Sequence, residues 1–115
     1  MTFAATPKPP YHAVIFASRR TTADEAGYGA MATRMDELAT TMPGYLGVES
    51  ARDAAGFGIT VSYWESEAAI LGWKQHAIHL IAQATGKTRW YEHYELRVAK
   101  VERAYNGPEG RPGTS

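Results

Sequence analysis

The alternation of apolar residues between a two-residue and a 3.6-residue period constrains this chain most, because each period buries a face in only one kind of element. Tyr11 to Arg20 (YHAVIFASRR) carries Val14, Ile15 and Phe16 at its centre and predicts a strand. Thr22-Ala23-Asp24-Glu25 then fits a capping box, with Thr22 accepting from the Glu25 backbone N–H and the Glu25 carboxylate reaching back. Tyr28, Met31, Met35, Leu38 and Met42 follow at spacings of three and four, the apolar stripe of a helix that Pro43-Gly44 ends.

Tyr45 to Arg52 and Phe57 to Trp64 read as two strands joined in a hairpin through Asp53-Ala54-Ala55-Gly56. Ser66 is a good N-cap for a second helix, with Glu67 in its first turn. That helix places Ala69, Ile70, Trp73, Ala77, Leu80, Ile81 and Ala84 on one face and has Gly86 as its stop. Lys87 to Trp90 predict a short turn, and Tyr91 to Arg103 a long closing strand. The order β-α-β-β-α-β is the ferredoxin-like arrangement of the α+β class.

One domain is expected over residues 11–105, in line with the usual ~100–150 residues. Residues 1–10, with Thr6-Pro7-Lys8-Pro9-Pro10, are expected to form a flexible lead, and the Gly- and Pro-rich residues 106–115 a disordered tail. Neither the signal-peptide layout nor the ~20-residue apolar run of a membrane span is recognisable, so a cytoplasmic location is the default expectation. Twelve Lys and Arg balance twelve Asp and Glu, and zero net charge argues against nucleic-acid binding, which needs positive charge to displace counterions. With no cysteine, disulfides, thiolate catalysis and zinc–thiolate sites are excluded.

A homodimer follows from the sheet. Two helices cover only one face of a ferredoxin-like sheet, so the other face of a monomer should be polar. Here Ala13, Ile15 and Ala17 point one way and Val14 and Phe16 the other, while Phe57, Ile59, Val61 and Tyr63 lie opposite Thr60, Ser62 and Trp64. Apolar side chains on both faces call for a second layer, and a two-fold mate is the simplest one.

Candidate site residues concentrate on the second helix. At 100° per residue, His76 lies roughly 80° from the centre of the Trp73–Ala77–Leu80 stripe and reaches a pocket edge, whereas His79 lies further round, towards solvent. An i, i+3 histidine pair lacks a third ligand nearby, so no metal site is expected. Trp64, Trp73, Trp90, Tyr91 and Tyr94 suit the walls of a pocket for a planar ligand, although ordinary core packing is the first expectation for any single one of them. Arg19 and Arg20, at the end of the first strand, have the fork geometry to hold a carboxylate. His12, at the strand's start, is a further candidate.

The segment Tyr63-Trp64-Glu65-Ser66-Glu67-Ala68-Ala69-Ile70, continuing through Trp73, His76, His79, Ala82-Gln83 and Gly86, resembles the antibiotic biosynthesis monooxygenase family. Met42-Pro43-Gly44-Tyr45 and the strand from Tyr94 to Arg103 extend the likeness over nearly all of residues 11–105. The resemblance implies a dimeric α+β barrel but not one reaction. Members oxidise aromatic substrates without a cofactor, degrade haem, or isomerise a phosphorylated signal, and this chain is most like an uncharacterised branch. In the haem-degrading branch Trp73 would match, but Gln83 stands where the axial histidine belongs and Ser18 near the place of an asparagine, which ranks haem last.

The resemblance and the residues together imply a monooxygenase-like enzyme, without cofactor, for a small aromatic or quinol-type substrate. His76 is the expected proton-handling group, since imidazole titrates near neutrality. Trp64, Trp73 and Tyr91 are the expected pocket walls, with His12 and Arg19 as further contacts. A non-catalytic, ligand-binding or stress-associated dimer is the alternative.

Overall fold

The computed structural model describes residues 3–23, 25–87 and 90–108, the side chains at 80–87 excepted. The elements run β1 (Tyr11–Arg20), α1 (Glu25–Thr41), β2 (Tyr45–Arg52), β3 (Phe57–Trp64), α2 (Glu67–Lys87) and β4 (Tyr91–Val101). They form one antiparallel sheet in the order β2-β3-β1-β4, the ferredoxin-like fold expected from the periodicity.

Local chemistry explains most of the boundaries. Ser66 Oγ accepts from the Ala69 backbone N–H at 3.1 Å, so it caps α2 as its sequence position suggests. In the β2–β3 hairpin the Asp53 carboxylate accepts from the Phe57 N–H at 3.0 Å. Gly56 there has φ 98°, a left-handed conformation that costs a side chain dearly. After α1, Gly44 takes φ 85°, and a Cβ on it would meet the Ala69 Cβ at 2.6 Å. That contact lets the α1–β2 corner sit directly on α2.

Other boundaries differ from expectation. β4 ends at Val101, two residues before Arg103. α2 continues one residue past Gly86 to Lys87. The capping box falls partly on Asp24 and the expected turn on Thr88 and Arg89, all outside the described residues. Thr21 Oγ1 accepts from the Ala23 N–H at 3.2 Å just before α1.

The register sorts the sheet into two faces. Val14, Phe16, Thr60, Ser62 and Trp64 turn towards the helices, where Val14, Trp64, Ile70, Trp73, Ala77 and Ala39 form the core. Ala13, Ile15 and Ala17 pair with Tyr63, Val61 and Ile59 on the open face. There Phe57 and Ile59 remain 40% and 42% exposed, so the apolar open face inferred from the alternation is present. The lead crosses one end of this face: the Ala4 N–H donates to Glu49 Oε2 at 2.9 Å, and Tyr11 Oη to Thr6 Oγ1 at 3.2 Å.

Among the described residues no helix is long and apolar enough to cross a membrane.

Candidate functional site

α1 lays a stripe over the sheet that is one step offset from the methionine spacing. Tyr28, Ala32, Met35, Asp36 and Ala39 face a cavity between helix and sheet. Their i, i+4, i+7, i+8, i+11 spacing is one helical face. The small Ala32 and Ala39 leave space that the larger side chains do not fill. Trp73, Lys74 and Ala77 of α2 close a second side, and Val14, Phe16, Val48, Ser62, Tyr91 and Leu96 form the floor.

The enclosed volume is about 100 Å³. An apolar cavity of about 150 Å³ holds benzene, so this one fits a single ring only with slight side-chain adjustment. A larger planar molecule has to extend through the gap between α1 and α2, where exposed Asp36 and Lys74 form the rim.

Trp64 is fully buried behind this wall. Its ring lies 5.3 Å from Trp73 and 5.4 Å from Tyr45, and its Nε1 donates to Ser62 Oγ at 2.9 Å. Trp64 thus supports the cavity wall rather than lining it. Trp73 does line the cavity, and its buried indole N–H has no acceptor among the described residues. A buried donor without a partner costs roughly 1–3 kcal/mol.

At one end of the cavity four elements converge. The Tyr91 hydroxyl donates to Tyr28 Oη at 3.4 Å, and Arg52 Nη2 donates to the same oxygen at 3.3 Å and to Ser18 Oγ at 2.9 Å. The Arg20 guanidinium stacks 3.6 Å over the Tyr28 ring and donates to the Trp90 carbonyl at 3.3 Å. Burial, followed by the Tyr28 contact, holds the Tyr91 phenol above its ordinary range despite the two nearby guanidiniums. At the other end partial burial of the rim residue Asp36 pushes its carboxyl up, and the Tyr45 phenol is raised by burial and by the Asp36 charge.

The remaining sequence candidates fall elsewhere. His76 and His79 share an exposed outer groove with Arg34, Glu37, Leu38 and Thr41, so His76 opens on the far side of the helix pair and does not line the apolar cavity. The rotation that separates the two histidines on a single helix is cancelled by α1, which walls both into one groove. His12 lies on the helix side, opposite Trp64 in the register, with a buried Nδ1 that has no partner among the described residues. Arg19 turns to the open face and sits 5.6 Å from the Phe57 ring centre. Unbroken alternation along β1 puts Arg20, with Val14, Phe16 and Ser18, on the helix side, and the register shift at Arg19/Arg20 sets Tyr91 of β4 opposite Arg20 at the cavity end. Gln83 lies among the side chains outside the description. No group of three or more His, Asp or Glu side chains is placed to hold a metal among the described residues.

Sequence reasoning missed Tyr28, Asp36 and Arg52 as site residues. Helical spacing marks Tyr28 only as one more apolar position. The signal that would have found Asp36 is its place eight residues after Tyr28, on the same helical face.

Comparison with known proteins matches residues 12–85 to the antibiotic biosynthesis monooxygenase family. The uncharacterised protein YqjZ of Bacillus subtilis (strain 168) is 55% identical over 98 residues, 85% of each chain. Two solved structures share the fold at low identity. SnoaB, a cofactor-independent oxygenase from Streptomyces nogalater solved as a mutant, has a TM-score of 0.67 at 9% identity, covering 82% of this chain and 95% of that one. A protein of unknown function from Nitrosomonas europaea has a TM-score of 0.69 at 9% identity, covering 89% and 99%.

Proposed function

Because the chain belongs to the antibiotic biosynthesis monooxygenase family, we propose that it oxidises a small aromatic or quinol-type substrate with molecular oxygen and without a cofactor. The observation that carries this reading is the apolar, helix-covered cavity walled by Trp73. Its volume of about 100 Å³ admits one aromatic ring with slight side-chain adjustment. The fold shared with SnoaB, described as a cofactor-independent oxygenase, supports the same class of chemistry.

The protein's part in such a reaction is deprotonation, orientation and exclusion of water. For an anthrone-like substrate, a ring CH₂ loses a proton to give an electron-rich enolate that reacts with O₂. The CH₂ carbon ends as C=O with one oxygen atom, and the other leaves as water with the two hydrogens. Asp36 takes the proton-accepting role in this reading. It stands at the cavity mouth with a carboxyl raised by burial, whereas His76 opens on the outer groove. Trp73 and Tyr91 act as substrate walls.

The same reading has the chain working as a two-fold homodimer through the open sheet face. Phe57 and Ile59, exposed beside Ile15 and Val61, support it, since an apolar face of this kind is unstable in water.

Oxygen consumption with a panel of hydroquinones and anthrones tests the proposal. Uptake above the buffer rate that falls in Trp73→Phe and Asp36→Asn is the expected result. Tight ligand binding with oxygen uptake no faster than buffer replaces the enzyme with a ligand-binding dimer.

A further inference from the structure

The pair of phenols at the cavity end carries one proton more than the protein uses. Between Tyr91 Oη and Tyr28 Oη, 3.4 Å apart, lies a single proton. Arg52 brings its own proton to Tyr28 Oη at 3.3 Å. Whichever way the hydroxyls rotate, one phenol proton has no acceptor among the described residues, and both rings line the cavity.

Charge points the same way. The Arg20 guanidinium lies 3.6 Å and that of Arg52 5.8 Å from the centre of the Tyr28 ring. The ion pairs among the described residues both belong to Glu95, so neither arginine is neutralised by a carboxylate there. Ser18, itself only 2% exposed, fixes Arg52 through its hydroxyl and its backbone carbonyl.

We infer that Tyr28 and Tyr91 form an oxyanion-binding pair that receives the phenolate or enolate oxygen of the aromatic substrate, with Arg52 as the residue that positions Tyr28 and Arg20 adding to the positive field. The inference rests on the aromatic-cavity reading above and specifies its substrate class: an acidic phenol or enolisable ketone, rather than a neutral hydrocarbon. Tyr91 is held protonated at neutral pH by its burial, so it donates rather than abstracts. Asp36 lies on α1 about 12 Å further along the helix axis, so oxygen binding and proton removal occupy opposite ends of the cavity. A preorganised donor at the place where negative charge develops is the arrangement that stabilises an enolate.

The test uses 4-nitrophenol, a one-ring probe whose anion absorbs visibly and whose ionisation falls near neutrality. The charged and titratable groups around it are Arg20 on β1, Arg52 on β2, Tyr91 on β4, Tyr28 and Asp36 on α1, Lys74 on α2 and Tyr45 at the start of β2. Titrations in wild type, Tyr28→Phe, Tyr28→Phe/Tyr91→Phe and Arg52→Gln are therefore run in parallel in an Asp36→Asn background. The bound probe is expected to ionise about one pH unit lower with the intact pair than in the double variant, corresponding to ~10-fold tighter binding of the anion. Arg52→Gln should give an intermediate shift, a readout that loss of a merely structural contact would not move. Circular dichroism and the probe's neutral-form affinity confirm that each variant is folded. Equal ionisation midpoints in the intact pair and the double variant, with the probe bound, overturn the oxyanion assignment and leave the aromatic cavity standing. Failure of the probe to bind to folded wild type overturns both.

Discussion

The Tyr63 hydroxyl donates to Glu49 Oε1 at 2.6 Å, a diagonal contact between β3 and β2 on the open face of the sheet. The other Glu49 oxygen accepts from the Ala4 backbone N–H, so one carboxylate ties the lead to the sheet. The Tyr63 contact, then the Ala4 one, holds Glu49 below its ordinary range, while burial and the bond to Glu49 push Tyr63 up to about 12.

The sign of the pH dependence follows from both shifts. Glu49, depressed in the fold, contributes stability above its ordinary carboxyl pKa, and that contribution is lost as pH falls through the lower folded value. Tyr63, raised, contributes below its ordinary value of 10.0, and its contribution is lost as pH rises through about 12. Urea unfolding of wild type and Tyr63→Phe across pH should show the widest gap between about pH 5 and 9, closing at both ends. A gap independent of pH would mean that the contact contributes through packing alone.

Removing the support behind the cavity wall should cost more than removing a wall residue's polar contact. Trp64→Ala empties a fully buried site against Trp73 and Tyr45 and is expected to lose about 3–5 kcal/mol of stability. Ser62→Ala keeps the ring but strands its N–H, for about 1–3 kcal/mol. Denaturant midpoints of the two variants check the order.

Oxygen uptake should separate the two titratable candidates. Asp36→Asn is expected to lower turnover of an anthrone or hydroquinone by about 10²–10⁴-fold, the usual range for a general base. His76→Ala, altering only the outer groove, is expected to stay within about twofold of wild type. The reverse pattern would move the chemistry to the histidine groove.

The exposed sheet face gives a test of association. Ile59→Glu, at a position 42% exposed in the single chain, should convert a dimer to monomer in sedimentation velocity at micromolar concentration. A wild-type chain that sediments as a monomer would remove the dimer from the proposed function.

Much of the fold was legible because it is written locally. Ser66 caps α2 through an oxygen three residues from its target, and Asp53 closes the hairpin through one four residues away. Such contacts need no knowledge of what packs above them. The open face was legible too, since a two-residue period assigns Ile15 and Ile59 to a side without reference to other elements. The site was legible only in part. Trp73 and Tyr91 do line the cavity, but Trp64 stands behind it and His12, Arg19 and His76 lie off it.

The sequence by itself determined the order of elements, the two-sided sheet and the helix face that carries Trp73, because periodicity reports the orientation of a side chain about its own axis. Tertiary structure alone decided that Arg20, Tyr28, Arg52 and Tyr91, from four separate elements, meet at one end of the cavity. It also decided that Tyr91 turns inward opposite Arg20, through a register shift in β4 beside the last residue of β1. The physical reason is that these contacts depend on how strands are registered and helices are laid across them. A one-residue step at a bulge reverses the face of a side chain without altering any local pattern.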